Sequence, residues 1–156
     1  MLSHANLLGN VADVADVLGM TPEDRLCIPV PFFYCFGSVL GTLLCVVGGT
    51  TMLPLAQFRP AEVLRTVQAR CCKLLHGVPA MFIAELEEFR KGEYDTSSLK
   101  SGIMGGSPCP LEVMRAVTSI RLPTRLYLPV CRENSAAAAI MSCRAITGCP
   151  RQPSGS

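Results

Sequence analysis

No charged residue occurs between Arg25 and Arg59. An uncharged run of that length either crosses a membrane or is buried inside a domain. Here the run is cut by Pro29, Pro31 and Pro54, and by the glycines at 37, 41, 48 and 49. Polar Thr50 and Thr51 sit near its end. Repeated prolines and glycines weaken a long helix. A buried strand, helix and strand accommodate all of them. The pattern therefore predicts a strand over 25–30, a helix over 36–47 ended by the pair Gly48–Gly49, and a strand over 50–55. The competing reading is a membrane hairpin around 32–53, which partitioning without detergent would separate from the buried one.

The alternation extends along the chain. Leu7, Val11, Val14 and Leu18 recur at helical spacing over 2–18, with Ser3 as a candidate N-cap and Gly19 as the stop. Pro60 opens an amphipathic helix with Val63, Leu64 and Val67 on one face. A strand is expected over 73–78, a helix over 80–89, a polar loop over 91–98, a strand over 99–104, a helix over 111–117 and a fifth strand over 124–130. Strand and helix in steady alternation predict an α/β fold, a parallel sheet flanked by helices on both faces. Beyond residue 135 the pattern is lost, and a tail rich in Gly, Pro and Ser is expected to be disordered.

Composition narrows the partners. The 156 residues carry a net charge of only +2, and no Lys/Arg block, which argues against a nucleic-acid partner. The nine cysteines are odd in number and irregularly spaced, and Cys71 and Cys72 are adjacent. That is a poor disulfide framework and suits a reduced, intracellular compartment, the cytoplasm. There is no C-x-x-C pair, and His4 and His76 are the only histidines, so a structural zinc site is not expected. No secretory signal pattern follows Met1. Met20, Met81, Met104 and Met114 read as core filler, and His76 is given no chemical role.

The stretch 101–110, SGIMGGSPCP, reads as a strand end, a glycine pair and a proline-started helix. Adjacent glycines let the backbone turn sharply and let a flat ligand lie against it. Glu112 early in that helix and Arg115 later follow the order that the helix dipole favours. The same features would serve an ordinary strand–helix corner.

Four segments in order resemble the AMP-binding, acyl-CoA synthetase family of adenylate-forming enzymes. They are LSHAN at 2–6, PVPFFYCFG at 29–37, GVPAMF at 77–82 and GGSPCP at 105–110. The likeness covers about residues 2–118 and is nearest to the medium- and long-chain fatty acid–CoA ligases. It implies a partial synthetase domain over 1–134, with 135–156 outside it. It also implies ATP (leaving as AMP), Mg²⁺, coenzyme A and a fatty acid as cofactors and substrates. By resemblance Gly105, Gly106, Ser107 and Pro108 form a wall against adenine. Tyr34 flanks the acyl entrance, and Gly77, Val78 and Pro79 line the acyl pocket. A core aromatic at 34 and a plain tight turn at 77–79 remain the alternatives.

The resemblance breaks after the 111–117 helix. The family carries Tyr-Gly-x-Thr-Glu there. This chain has Pro129, Val130, Cys131, Arg132 and Glu133, so only the metal-holding glutamate, Glu133, is retained. The family's phosphate loop, ribose-holding aspartate and lid lysine find no match in these residues. The expectation is a synthetase fragment without ligase activity of its own, or a remnant that still binds a ligand or partner. Unpaired sheet edges and uncovered apolar faces predict self-association.

Overall fold

The computed structural model describes residues 3–92, 94–107 and 111–119. Helix α1 spans His4–Leu18. The Ser3 hydroxyl accepts the Asn6 N–H and the Asn6 side chain accepts the Ser3 N–H, a closed capping box. Gly19 ends the helix at φ 60°, a left-handed position that glycine takes without strain. Strand β1 is Arg25–Ile28. A continuous helical stretch follows: α2 at Cys35–Gly37, a π-helical turn at Ser38–Leu43, and α3 at Leu44–Gly48. Then come β2 (Thr51–Pro54), α4 (Pro60–Arg70), β3 (Leu74–Gly77), α5 (Pro79–Lys91), β4 (Ser101–Met104) and α6 (Leu111–Ser119).

The four described strands form one parallel sheet in the order β2-β1-β3-β4. Side chains alternate across it, and that alternation divides the core in two. Leu26, Ile28, Leu74 and Ile103 pack with Val11, Val14 and Leu18 of α1 and with Leu40, Leu44 and Cys45 of the 35–48 helix. Cys27, Leu75 and Met104 pack on the other face with Val63 and Val67 of α4, Phe82 and Leu86 of α5, and Val117 of α6. The helix joining β1 to β2 thus covers one face, and the helices joining β2 to β3 and β3 to β4 cover the other. Parallel crossovers are right-handed, so a chain that reverses its direction across the sheet must also change faces. It reverses between β1 and β3.

The amino ends of the strands are tied together. Lys100, just before β4, pairs with Asp24, just before β1, at 2.5 Å. Lys100 Nζ also donates to the Gly19 carbonyl at 2.8 Å, and Asp24 accepts the Thr21 N–H at 2.8 Å. Arg25 donates to the Arg70 carbonyl at 2.6 Å, holding the end of α4 to β1.

The expected α/β class, with helices on both faces, is what the chain forms. No helix among the described residues is long and apolar enough to cross a membrane. The uncharged run instead becomes β1, the 35–48 helix and β2. Two details differ from expectation. The helix is not uniformly α, because its middle winds as π. Strand β2 is not buried on both faces: it is an edge of the sheet among the described residues, and Met52 is 37% exposed. The expected strand over 124–130 and the tail over 135–156 lie outside the described residues. Met104 is buried and Met20 and Met81 pack against the core, as expected of filler.

Candidate functional site

A doubly wound sheet opens a crevice where the chain reverses, outside the carboxyl ends of the two strands involved. Here those are β1 and β3. The segments leaving them are 29–34 and Gly77–Val78, and the next carboxyl end, that of β4, leads into Gly105–Ser107. Three of the four segments that carry the resemblance therefore meet at one edge of the sheet.

The β3 and β4 segments are joined directly. Gly105 N–H donates to the Gly77 carbonyl at 3.2 Å. Gly106 stands at φ 88°, and a β-carbon there would lie 3.3 Å from Val78 Cγ1. Gly77 is buried, and a β-carbon on it would press on the Phe82 ring at 3.1 Å. Pro79 is buried at the first turn of α5, where its missing N–H leaves nothing unpaired. Gly105 is buried, Gly106 exposed and Ser107 half-buried. Pro108 and Glu133 lie outside the described residues.

Tyr34 is 63% exposed, so it is not a core aromatic. Its ring lies against that of Phe33, centroids 4.7 Å apart. Its carbonyl accepts both the N–H and the hydroxyl of Ser38 at 3.0 Å, so it starts the 35–48 helix. With Phe32 and Phe33, it forms an exposed aromatic loop after β1. Gly37 is obligatory at that helix start, since a β-carbon would collide with the Pro31 carbonyl.

Segments 29–34, 77–78 and 105–107 contain no charged side chain. Such a rim suits an apolar chain and a flat base. It brings no countercharge for phosphate, which would have to come from elsewhere. Among the described residues no group of three His, Cys, Asp or Glu is placed to hold a metal ion.

Two buried polar side chains stand outside the residues assigned from the sequence, and the first is His76, given no chemical role there. It is fully buried, and Nδ1 accepts the Ile103 N–H at 3.2 Å. That assigns the proton to Nε2, which has no hydrogen-bond partner. Burial pushes its pKa down to about 4, against a weaker opposing pull from the Leu75 and Leu40 backbones. Glu85, on α5, is also buried, and its Oε1 is unpartnered. It borders a small cavity with Leu64, Leu75, Phe82, Phe89 and Val117, and burial raises its pKa to about 8. Nearby, a hydrogen bond between the Cys27 and Cys72 side chains pushes the Cys27 thiol up, with burial adding to the rise, and pulls Cys72 down against the opposing effect of burial. The described cysteines are all free thiols.

The fold and this edge define a doubly wound α/β unit with its candidate site at the switch point. The chain belongs to the AMP-binding enzyme family, whose model matches residues 1–127. It is 55% identical over 117 residues to YngI of Bacillus subtilis, to which an acyl-CoA synthetase role is attributed, covering 75% of this chain and 21% of that one. It is 42% identical over 116 residues to the acyl-CoA ligase SID4 of Ajellomyces capsulatus, covering 74% of this chain and 20% of that one. Among solved structures it superposes on ATP-bound MatB from Rhodopseudomonas palustris with a TM-score of 0.69 at 27% identity, covering 76% of this chain and 23% of MatB. A fatty acyl-adenylate ligase from L. pneumophila, in complex with acyl adenylate and pyrophosphate, shares the fold with a TM-score of 0.69 at 20% identity, covering 80% of this chain and 24% of that one. The chain spans about a fifth of the length of the curated relatives it matches.

Proposed function

We propose that these residues carry part of the acyl- and adenine-binding face of a fatty acid–CoA ligase. In that reaction a carboxylate attacks the α-phosphate of ATP, releasing pyrophosphate and leaving an acyl-adenylate. Coenzyme A thiolate then displaces AMP. Gly105, Gly106, Ser107 and Pro108 would back the adenine, while Tyr34, Gly77, Val78 and Pro79 would line the path of the acyl chain. Glu133 would hold Mg²⁺. The observation that carries this reading is the bond from Gly105 N–H to the Gly77 carbonyl, with no room for a β-carbon between Gly106 and Val78. It sets the two assigned surfaces edge to edge, as a reaction joining an acyl group to a nucleotide needs.

The same reading expects no ligase activity from these 156 residues alone. Stabilising the charge that builds on the phosphates requires preorganised cations and donors, and losing one such donor costs about 3 kcal/mol. The rim has no charged side chain, and Pro129, Val130 and Arg132 stand where the family carries tyrosine, glycine and threonine. Those replacements favour a second reading, a catalytically dead module that still binds a ligand. The reduced cysteines fit a cytoplasmic setting, and the exposed Val46, Val47 and Met52 beside the β2 edge fit self-association.

ATP–pyrophosphate exchange with decanoate, run beside titration calorimetry with AMP and decanoate, tests both readings. Binding of either ligand without exchange supports the proposal. Exchange by the isolated chain would refute the expected inactivity. Absence of binding to both ligands would refute the ligand-binding reading.

A further inference from the structure

We propose that His76 is a positioning residue that holds Tyr34 in place, acting through Phe36 and the π-helical turn Ser38–Leu43. The claim rests on the acyl-pocket reading only in what it says of Tyr34's purpose. The positioning itself is a matter of packing. The imidazole is gripped from several directions inside the core. Nδ1 takes the Ile103 N–H from β4. The ring stacks on Phe36 with centroids 5.9 Å apart and planes 29° apart. The Leu40 carbonyl lies near enough to favour the charged ring, yet completes no hydrogen bond to Nε2.

Leu40 is in the middle of the π turn. A π turn widens a helix by one residue, is rare, and recurs at functional sites. This one lies where the helix meets both the sheet and the imidazole. One turn of the helix is pressed against the sheet at Gly41, where a β-carbon would sit 3.3 Å from two Ile28 side-chain carbons. The backbone of the neighbouring residue, Leu40, lies beside the imidazole, which β4 holds through the Ile103 N–H. A leucine at 76 would fill this site without the unpartnered Nε2–H, but it would take away the acceptor that Nδ1 offers the Ile103 N–H.

The consequence reaches the candidate site because Tyr34 is tied to this helix. Its carbonyl takes both Ser38 donors, at the first residue of the π turn. Phe36, two residues on, is the ring stacked on His76. If the π turn reverts to α, the residues before it rotate about the helix axis and Tyr34 goes with them.

The test uses the full 156-residue chain and amide hydrogen exchange read by mass spectrometry. In His76→Leu, exchange across residues 38–45 is expected to rise about tenfold, while α4, on the other face of the sheet, keeps its wild-type rate. His76→Asn keeps an acceptor near the Nδ1 position and is expected to return most of the protection. Unchanged exchange in His76→Leu, or equal exchange in the two variants, would overturn the proposal. Should His76→Leu fail to fold, Phe36→Leu leaves the histidine in place and is expected to loosen the same amides. No loosening there would be equally fatal. Nitration of Tyr34 with and without decanoate forms a separate arm. Protection of wild type that is lost in His76→Leu supports the link to the acyl pocket. No protection of wild type overturns the acyl-pocket reading and leaves the exchange result standing.

Discussion

A β-carbon on Gly102 would collide with the carbonyl oxygen of Leu75 on the neighbouring strand. Strands β3 and β4 approach so closely there that only glycine fits between them. The obstacle is backbone, so no rotamer change relieves it. Gly102→Ala is expected to cost about 3 kcal/mol by prising β4 from β3. Gly9→Ala is the control: it sits inside α1 with open space around its Cα, and is expected to stabilise by about 0.5–1 kcal/mol. Urea unfolding of the two variants checks both signs.

Glu85 and His76, both buried, act on stability in opposite directions. Glu85 is raised from 4.5 to about 8, so the folded chain holds a proton that the unfolded chain releases. Its contribution is complete below about 4.5, drains away as pH rises, and is gone above about 8. His76 is lowered from 6.5 to about 4, so the unfolded chain binds a proton that the folded chain refuses. Its contribution is present above about 6.5 and drains as pH falls to about 4. Between 4.5 and 6.5 the slopes cancel. The pair therefore predicts a plateau there and a fall of about 1.4 kcal/mol per pH unit from 6.5 towards 8. Urea midpoints measured from pH 4 to 8.5 test the shape. Glu85→Gln is expected to abolish the alkaline limb.

Glu85 also holds stability in reserve. Its carboxyl borders an apolar cavity with Oε1 unpartnered, and a leucine would fill much of the same volume without desolvating a polar group. Glu85→Leu is expected to stabilise the chain by about 1–3 kcal/mol near pH 7. Thermal unfolding checks it, and a lowered midpoint would mean that the carboxyl has a structural partner.

Most of the fold was legible because its punctuation is local. Pro60 and Pro79 open helices at the positions where proline costs nothing. Gly19 and Gly49 close them with left-handed backbones that follow from having no β-carbon. The alternation of Leu26, Cys27 and Ile28 between two cores is likewise a period of two written in the chain. What was illegible depends on contacts distant in sequence. The π turn has no signature in SVLGTL, and the imidazole that stacks on the helix at Phe36 comes from a strand some 40 residues further on. Glu85 opens the charged run ELEEFRK, although its spacing from Phe82 and Phe89 puts it on the inward face. Of the candidate site, the segments were legible but their adjacency was not. That a β-carbon at 106 would meet Val78 follows only from the pairing of β3 with β4.

At the other end of the strands, the Lys100–Asp24 pair should contribute more than a surface ion pair. Asp24 is 5% exposed and also holds the Thr21 N–H, so removing the lysine strands a buried carboxylate. Lys100→Met is expected to cost about 2 kcal/mol, and the double variant with Asp24→Asn less than the sum of the singles. A double-mutant cycle in urea measures the difference.

Gly106 offers a way to divide one substitution into two causes. Its φ of 88° is strained for any residue with a β-carbon, and that carbon would also press on Val78 Cγ1 at 3.3 Å. Gly106→Ala is expected to cost about 1–2 kcal/mol from the backbone and somewhat more from the contact. Val78→Ala removes the methyl in the way but leaves φ unchanged. The pair should therefore be less destabilising than the two singles added, and the residue of the Gly106→Ala cost that survives in the Val78→Ala background is the backbone part. Strict additivity in urea unfolding would mean that Val78 yields freely and that the two surfaces, though adjacent, are not mechanically joined. A strong coupling would mean that any ligand displacing Val78 also moves the glycine pair beside it.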